Sequence, residues 1–402
     1  MTHRPEVLVL MGSGETTPTM IKTHRAVLDR VGDRRAVLLD TPYGFQSNAD
    51  DISARATDYF AASVGRPIEV VSWRRDDLPP IQRERALADL RGAGWIFAGP
   101  GSPTYALRHW RDSPIPALLA QTRTLVFASA AALTLGSHAI PVYEIYKAGD
   151  EPCWITGLNL FEQFTGIAAV IIPHYDNAEG GNHDTRFCYL GEHRLRLMER
   201  QLPEGTSILG IDEHTAMIID LRTGSVDVTG RGGVTVRRGG SSTRLPSGSA
   251  TSLDGLRALI SPGGTLDAVI AIPAPREPVE QPMTVTEAAV AAEVRFTAAA
   301  ARGDGDDMVG AILDLEALIR DWSADTDQDQ GIDQAREVLR ALIVRLGNSS
   351  LQPLVESLLA LRGRLRDDRA FGPADAIRQA LTVAGVRLRD TTDGTQWSMQ
   401  RP

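Results

Sequence analysis

A serine in a run of small residues, a histidine just past an apolar stretch and a few glutamates are the groups here whose chemistry can be combined. The serine is Ser129, in Phe127-Ala128-Ser129-Ala130-Ala131-Ala132, and the histidine is His174, in Ile171-Ile172-Pro173-His174. A hydroxyl becomes a nucleophile when a base lies within hydrogen-bond reach and a third group holds that base. His174 is the best placed of the 8 histidines for this, because it follows a strand-like run directly. Backbone N–H groups of Gly101, in a glycine-rich loop, and of Ala130, the residue after the serine, are placed to hold an oxyanion. Taken alone, the Ser129 stretch leaves two readings open, a catalytic serine on a sharp turn or small-residue core packing. Glycines normally flank such a turn, and Phe127 and Ala131 stand in those places.

Groups this far apart in the chain need a scaffold that gathers loops. The apolar runs EVLVLMG, RAVLLDT, IEVVSW, GWIFAGPG, TLVFASA and AAVIIPH alternate with helical lengths such as NADDISARATDYFAASV. Runs apolar at every position suit strands buried on both faces, so the alternation predicts an α/β fold with a doubly wound, mostly parallel sheet. Ligands in such folds bind beyond the carboxyl ends of the strands. The loops MGSGETTP, AGPGSPTYAL, the Ser129 turn and IIPHYDNAEGGNHD belong at that rim. After Ile208, β-branched runs broken by Thr-Gly and Gly-Gly predict antiparallel strands at the sheet's edge. We therefore expect one domain over residues 1–240 and a linker over 241–284 containing one more strand-like run, LDAVIAIPA. An all-helical domain is expected over 285–402, where AILDLEALIRDW, EVLRALIVRL and LVESLLALRGRL carry apolar residues at helical spacing.

Composition narrows the function classes. A chain of 402 residues exceeds one ordinary core. A net charge of −9 argues against a protein that coats nucleic acid. Cys153 and Cys188 cannot build a disulfide framework and no charged-then-apolar leader opens the sequence, which predicts a cytoplasmic protein. No apolar run reaches the roughly 20 residues that a membrane span needs, so no membrane partner is expected. GSGE after the first strand lacks the Walker lysine and the full dinucleotide fingerprint. The group His174, Asp176, His183 and Asp184 matches no zinc or iron spacing, so neither cofactor nor metal is assigned.

In combination, A-G-P-G-S-P-T-Y-A-L, the serine turn, V-Y-E-I-Y-K, I-I-P-H-Y-D-N-A and G-I-D-E-H-T-A resemble the dipeptidase E and cyanophycinase group of serine peptidases, over roughly residues 5–240. The resemblance implies a class I glutamine amidotransferase-like fold and a Ser–His–acid triad in the chain order serine, acid, histidine. It implies Ser129 as nucleophile, His174 as base and Glu144 as the acid, with Glu213 at a structural or substrate-facing carboxylate position. That group's serine turn reads G-x-S-A-G-A, and both glycines carry side chains here. The implied substrate is an amide bond in a small peptide or amino-acid conjugate, with an aspartyl carboxylate received by Lys147 or Arg108.

The C-terminal stretch Val355–Met399, with ADAIR and an R-D-T-x-D-G-T-x-W ending, resembles the C-terminal helical region of cysteinyl-tRNA synthetases. That resemblance implies a tRNA, or a tRNA-dependent enzyme, as partner, contacted through Arg362, Arg364, Arg366 and Arg369. From Thr284 onward, however, 14 arginines and no lysine face 19 acidic residues, a net of −5. A solvated helix face in a docking or homodimerisation module is the competing reading. The synthetases' nucleotide-binding and zinc-ligand motifs are absent from the sequence, which excludes aminoacylation. Two functions follow, a serine hydrolase or a catalytically inactive protein that binds through its C-terminal domain.

Overall fold

The computed structural model describes residues 5–180, 182–260, 283–323, 331–391 and 394–399. The chain divides into two compact units, one of Met1–Pro282 with Asp321–Gln328 and one of Met283–Arg320 with Asp329–Pro402. Strands β1 to β5 are Val7–Met11, Arg35–Leu39, Glu69–Val71, Ala93–Ala98 and Thr124–Ala128, and β6 to β9 are His138–Ala139, Ile155–Thr156, Ala169–Ile172 and Ser207–Ile211. Strands β10 to β14 are Thr215–Asp220, Ser225–Gly230, Gly233–Arg238, Ser241–Pro246 and Ala250–Ser252, and β15 and β16 are Val386–Thr391 and Gly394–Met399.

The main sheet has the order β14-β11-β10-β1-β5-β4-β2-β3. Its five strands from β1 to β3 are parallel, and β10, β11 and β14 extend it antiparallel. Alternate side chains of one strand enter two different cores: Leu8 and Leu10 join Trp110, Leu119 and Phe161, whereas Val7, Val9 and Met11 join Val27, Leu28 and Tyr59. Helices therefore cover both faces, which is why β1 is apolar and buried at every position.

The expectation of a doubly wound sheet holds, with one rearrangement. Strand β8, read as a sixth strand of the same sheet, lies instead in a four-stranded sheet of order β13-β12-β9-β8. It pairs in parallel with β9, and Ile172 faces Gly210 across that pair. Residues 241–260 are also not a linker. Strand β13 pairs with β12 through a turn at Gly239-Gly240, β14 pairs with β11, and the helix Leu253–Ile260 buries Leu253, Leu256 and Leu259 in the first core. Both turn glycines have positive φ, 56° and 80°, as a tight hairpin requires. A Ser- and Gly-rich composition thus marked hairpin chemistry here. The run LDAVIAIPA lies outside the described residues.

In the second unit, the helix Val285–Arg302 opens with a capping box between Thr284 and Glu287. The helices Ile332–Asp367 and Phe371–Val383 precede β15 and β16, so the unit is helical but not wholly so. The described residues of its R-D-T-x-D-G-T-x-W ending lie in these two strands, whose Val386, Leu388 and Trp397 pack against Val355, Ile377 and Leu381. No helix among the described residues is long and apolar enough to cross a membrane.

Candidate active site

Strand β5 ends at Ala128 and the helix Ser129–Thr134 begins at the next residue. Ser129 makes that reversal with φ of 47°, in the left-handed region that a non-glycine residue rarely occupies. Such strain persists where surrounding structure enforces it, and it clusters at functional sites. Neither Phe127 nor Ala131 has positive φ, so neither place needs a glycine backbone. Phe127 points into the core, edge-on to Trp110 with ring centroids 6.1 Å apart, and the N–H of Ala131 donates to Gly99 O at 3.2 Å. The serine itself carries the strain that the flanking glycines were expected to relieve.

The sheet registers bring the other groups to this turn. Phe127 pairs with Ala98 across the parallel strands β5 and β4, which carries the Gly99–Ser102 loop alongside Ser129. His174 follows β8 by two residues, also with positive φ, 48°, and Cys188 N donates to its carbonyl at 3.1 Å. Ser129 Oγ and His174 Nε2 are 3.0 Å apart, and both residues are buried. His174 Nδ1 lies 3.0 Å from Glu213 Oε1. An ionised carboxylate only accepts, so Nδ1 carries the proton it donates to Glu213, and Nε2 accepts from the serine hydroxyl.

The carboxylate at the imidazole is thus Glu213 and not Glu144. Because Ile172 and Gly210 are parallel neighbours, the chain leaving β8 and the chain leaving β9 reach the same rim together, and Glu213 meets His174 there. Glu144 opens a wide helical turn, Glu144–Ala148, and its Oε2 is enclosed without a hydrogen-bond partner. The strand-end rule puts Glu213 at the rim as well, since GIDEHTA follows a strand, but it does not say which carboxylate meets His174, and the chain order that the resemblance implies favoured Glu144.

A cavity of about 300 Å³ opens over Ser129 and His174, and Gly101 and Ala130 both line it. Gly101 has φ of 131°, and a Cβ there would lie 2.1 Å from Pro42 O, so the loop admits only glycine. Ala130 belongs to the first turn of its helix, where its N–H has no intrahelical acceptor, whereas the Ala131 N–H is already taken by Gly99 O. The lining also includes Tyr143, Tyr146, Lys147 and Tyr189. The Lys147 ammonium sits 5.1 Å from the Tyr143 ring centre, and the Tyr189 hydroxyl donates to Glu179 Oε2 at 2.9 Å. Cys188 also lines the cavity, buried. Arg108 is exposed on the helix Pro103–Trp110 and is not among the described residues lining the cavity.

Of the four C-terminal arginines, Arg362 is 3% exposed and reaches Thr395 Oγ1 at 3.3 Å inside its own unit, so it is no surface contact. Arg364, Arg366 and Arg369 are exposed. Of the acidic and imidazole groups in HYDNAEGGNHD, Asp184 is engaged by Arg186, which holds its carboxyl far below the usual range.

No family model matches the chain. The crystal structure of a peptidase from an acI-B1 Actinobacterium has the same fold, with a TM-score of 0.51 and 18% identity, covering 63% of this chain and 98% of that one. Sequence relatives include cysteine–tRNA ligases. That of Thermosipho melanesiensis is 33% identical over 99 residues, 21% of each chain, and that of Nocardioides sp. is 49% identical over 49 residues, 12% of this chain and 10% of the ligase. The chain spans about a fifth of the length of the ligases it matches first.

Proposed function

We propose that this protein is a serine hydrolase that cleaves an amide bond in a small peptide or amino-acid conjugate. The reading is carried by one observation: Ser129, strained at a strand-to-helix turn, lies 3.0 Å from His174 Nε2 while Glu213 holds the other ring nitrogen at 3.0 Å. Ser129 Oγ attacks the carbonyl carbon as Nε2 takes the hydroxyl proton. The N–H groups of Gly101 and Ala130 hold the resulting oxyanion. Collapse breaks the C–N bond, His174 returns the proton to the departing amine, and the acyl group stays on Ser129 as an ester. Water, deprotonated by His174, then attacks the ester and releases the acid and the free serine. The likeness in fold to a solved peptidase supports the same class.

The cavity's size fits a small substrate, and Lys147 is its cation for a substrate carboxylate. The aspartyl preference that Lys147 suggests is tested with a panel of aspartyl and cysteinyl dipeptides. Turnover is expected from the native chain and not from Ser129→Ala; equal turnover by both discards the assignment.

A second reading, independent of the first, concerns the C-terminal unit. We propose that it contacts tRNA or a tRNA-dependent enzyme, on the strength of its resemblance to cysteine–tRNA ligases and of Arg364, Arg366 and Arg369 at its surface. Retention of tRNA that falls with salt, and that is lost when these three are changed to Glu, supports it. Salt-insensitive retention, or none, removes it and leaves a docking or dimerisation face.

A further inference from the structure

We propose that Asn177 is a positioning residue for the Glu213–His174 pair. Its catalytic meaning rests on the hydrolase reading above, whereas its structural basis rests on contacts alone. Asn177 is fully buried, and its Nδ2 donates at 3.0 Å to Glu213 Oε1, the same oxygen that accepts from His174 Nδ1. The orientation of the amide is fixed from its other end: Oδ1 accepts from the Glu179 N–H at 3.3 Å, so the NH₂ group faces the carboxylate. The N–H of Asn177 also donates to His174 O at 3.3 Å, which ties the donor to the residue it serves.

Glu213 needs such a hold because its side chain is 20% exposed, against 7% for His174, and water competes for its oxygens. Two donors converging on Oε1 leave it one orientation. The backbone is held separately, since the Glu213 N–H donates to Asp176 Oδ1 at 2.7 Å. The next residue, His214, has Nδ1 at 3.2 Å from Thr19 Oγ1 and 3.4 Å from Thr17 Oγ1. The Gly- and Thr-rich segment after β1, a weak candidate for a phosphate loop in the sequence, thus anchors the neighbour of Glu213. Asn177, with His174, reaches the carboxylate itself.

The test compares the full chain with Asn177→Ala and Glu213→Gln, reading the His174 pKa by NMR titration and the rate at which a fluorophosphonate labels Ser129. Glu213→Gln removes the opposite charge and is expected to lower the His174 pKa by about one unit. Asn177→Ala is expected to move it the same way by at least half as much. It is also expected to slow labelling by roughly tenfold to a hundredfold at an unchanged half-saturating probe concentration. A folded Asn177→Ala protein with the native His174 pKa and labelling rate overturns the proposal. If alanine unfolds the loop, the near-isosteric Asn177→Leu removes the donor without adding a charge beside Glu213, and a native labelling rate in that variant overturns it equally. If Ser129 is not labelled even in the native chain, the hydrolase reading fails, and the His174 titration still decides the role of Asn177.

Discussion

Phe127 packs edge-on to Trp110, centroids 6.1 Å apart, in the core beneath the turn that Ser129 makes. The ring belongs to the main sheet's core and is not among the described residues lining the cavity, which do include Ser129 two residues later. The aromatic residue therefore belongs to the stability of the turn's support and not to its chemistry.

Truncating that ring, as Phe127→Ala, is expected to cost ~3–5 kcal/mol of stability by removing buried surface and leaving a cavity. Denaturant unfolding measures it. A loss under about 1 kcal/mol would mean that the ring is not the packed core element described.

The two glutamates separate cleanly. Glu213→Gln is expected to lower kcat/KM by roughly 10³-fold to 10⁴-fold, because the imidazole loses the acceptor that fixes its tautomer and balances its developing charge. Glu144→Gln is expected to stay within a few-fold of native. The opposite ranking in steady-state kinetics would restore Glu144 to the role that chain order suggested.

What the sequence made legible, and what it hid, follows from where information resides. Apolar runs disclosed β1, β4 and β5, and the strand-end rule put Ser129 at a strand-to-helix junction, because burial on both faces writes itself into every position of a strand. The partner of His174 was hidden because it depends on the β8–β9 register, a tertiary fact that spacing along the chain does not encode. Strand β13 was hidden for another reason: in SSTRLP, Leu245 is the buried residue, so a hairpin strand had the composition of a linker. Arg362 looked like part of a surface cluster, yet the helix carrying it turns that side chain inward, beside three exposed arginines.

Arg362 leads to a third expectation. Replacing a buried guanidinium that bonds within its unit, as Arg362→Ala, is expected to destabilise by about 1–3 kcal/mol, whereas Arg364→Ala, at an exposed position, is expected to change stability by less than about 0.5 kcal/mol. Thermal melts of the two variants compare them. Equal effects would place the two side chains in the same environment, against the burial seen.

The pH dependence of stability has an identifiable source in His24. Its ring is fully buried among Tyr59, Phe60, Trp95 and Phe97, Nε2 donates to the Glu15 carbonyl at 2.7 Å, and Nδ1 has no hydrogen-bond partner. Burial lowers its pKa from 6.5 to about 4, with the Glu15 hydrogen bond opposing in the weaker sense. Between those values the unfolded chain binds a proton that the folded one refuses. The stabilisation is therefore complete above pH 6.5 and is lost as pH falls toward 4, by ~3 kcal/mol in all. Unfolding free energies measured at several pH values should lose this slope in His24→Phe; an unchanged slope would assign it to other groups.

The most direct measurement of the central claim, that His174 activates Ser129, is mass spectrometry of the chain after incubation with a fluorophosphonate. The account predicts a single adduct on the peptide containing Ser129, absent from Ser129→Ala and formed far more slowly in His174→Ala. A folded native chain that takes up no adduct at Ser129, or takes it up as fast without the imidazole, would contradict it.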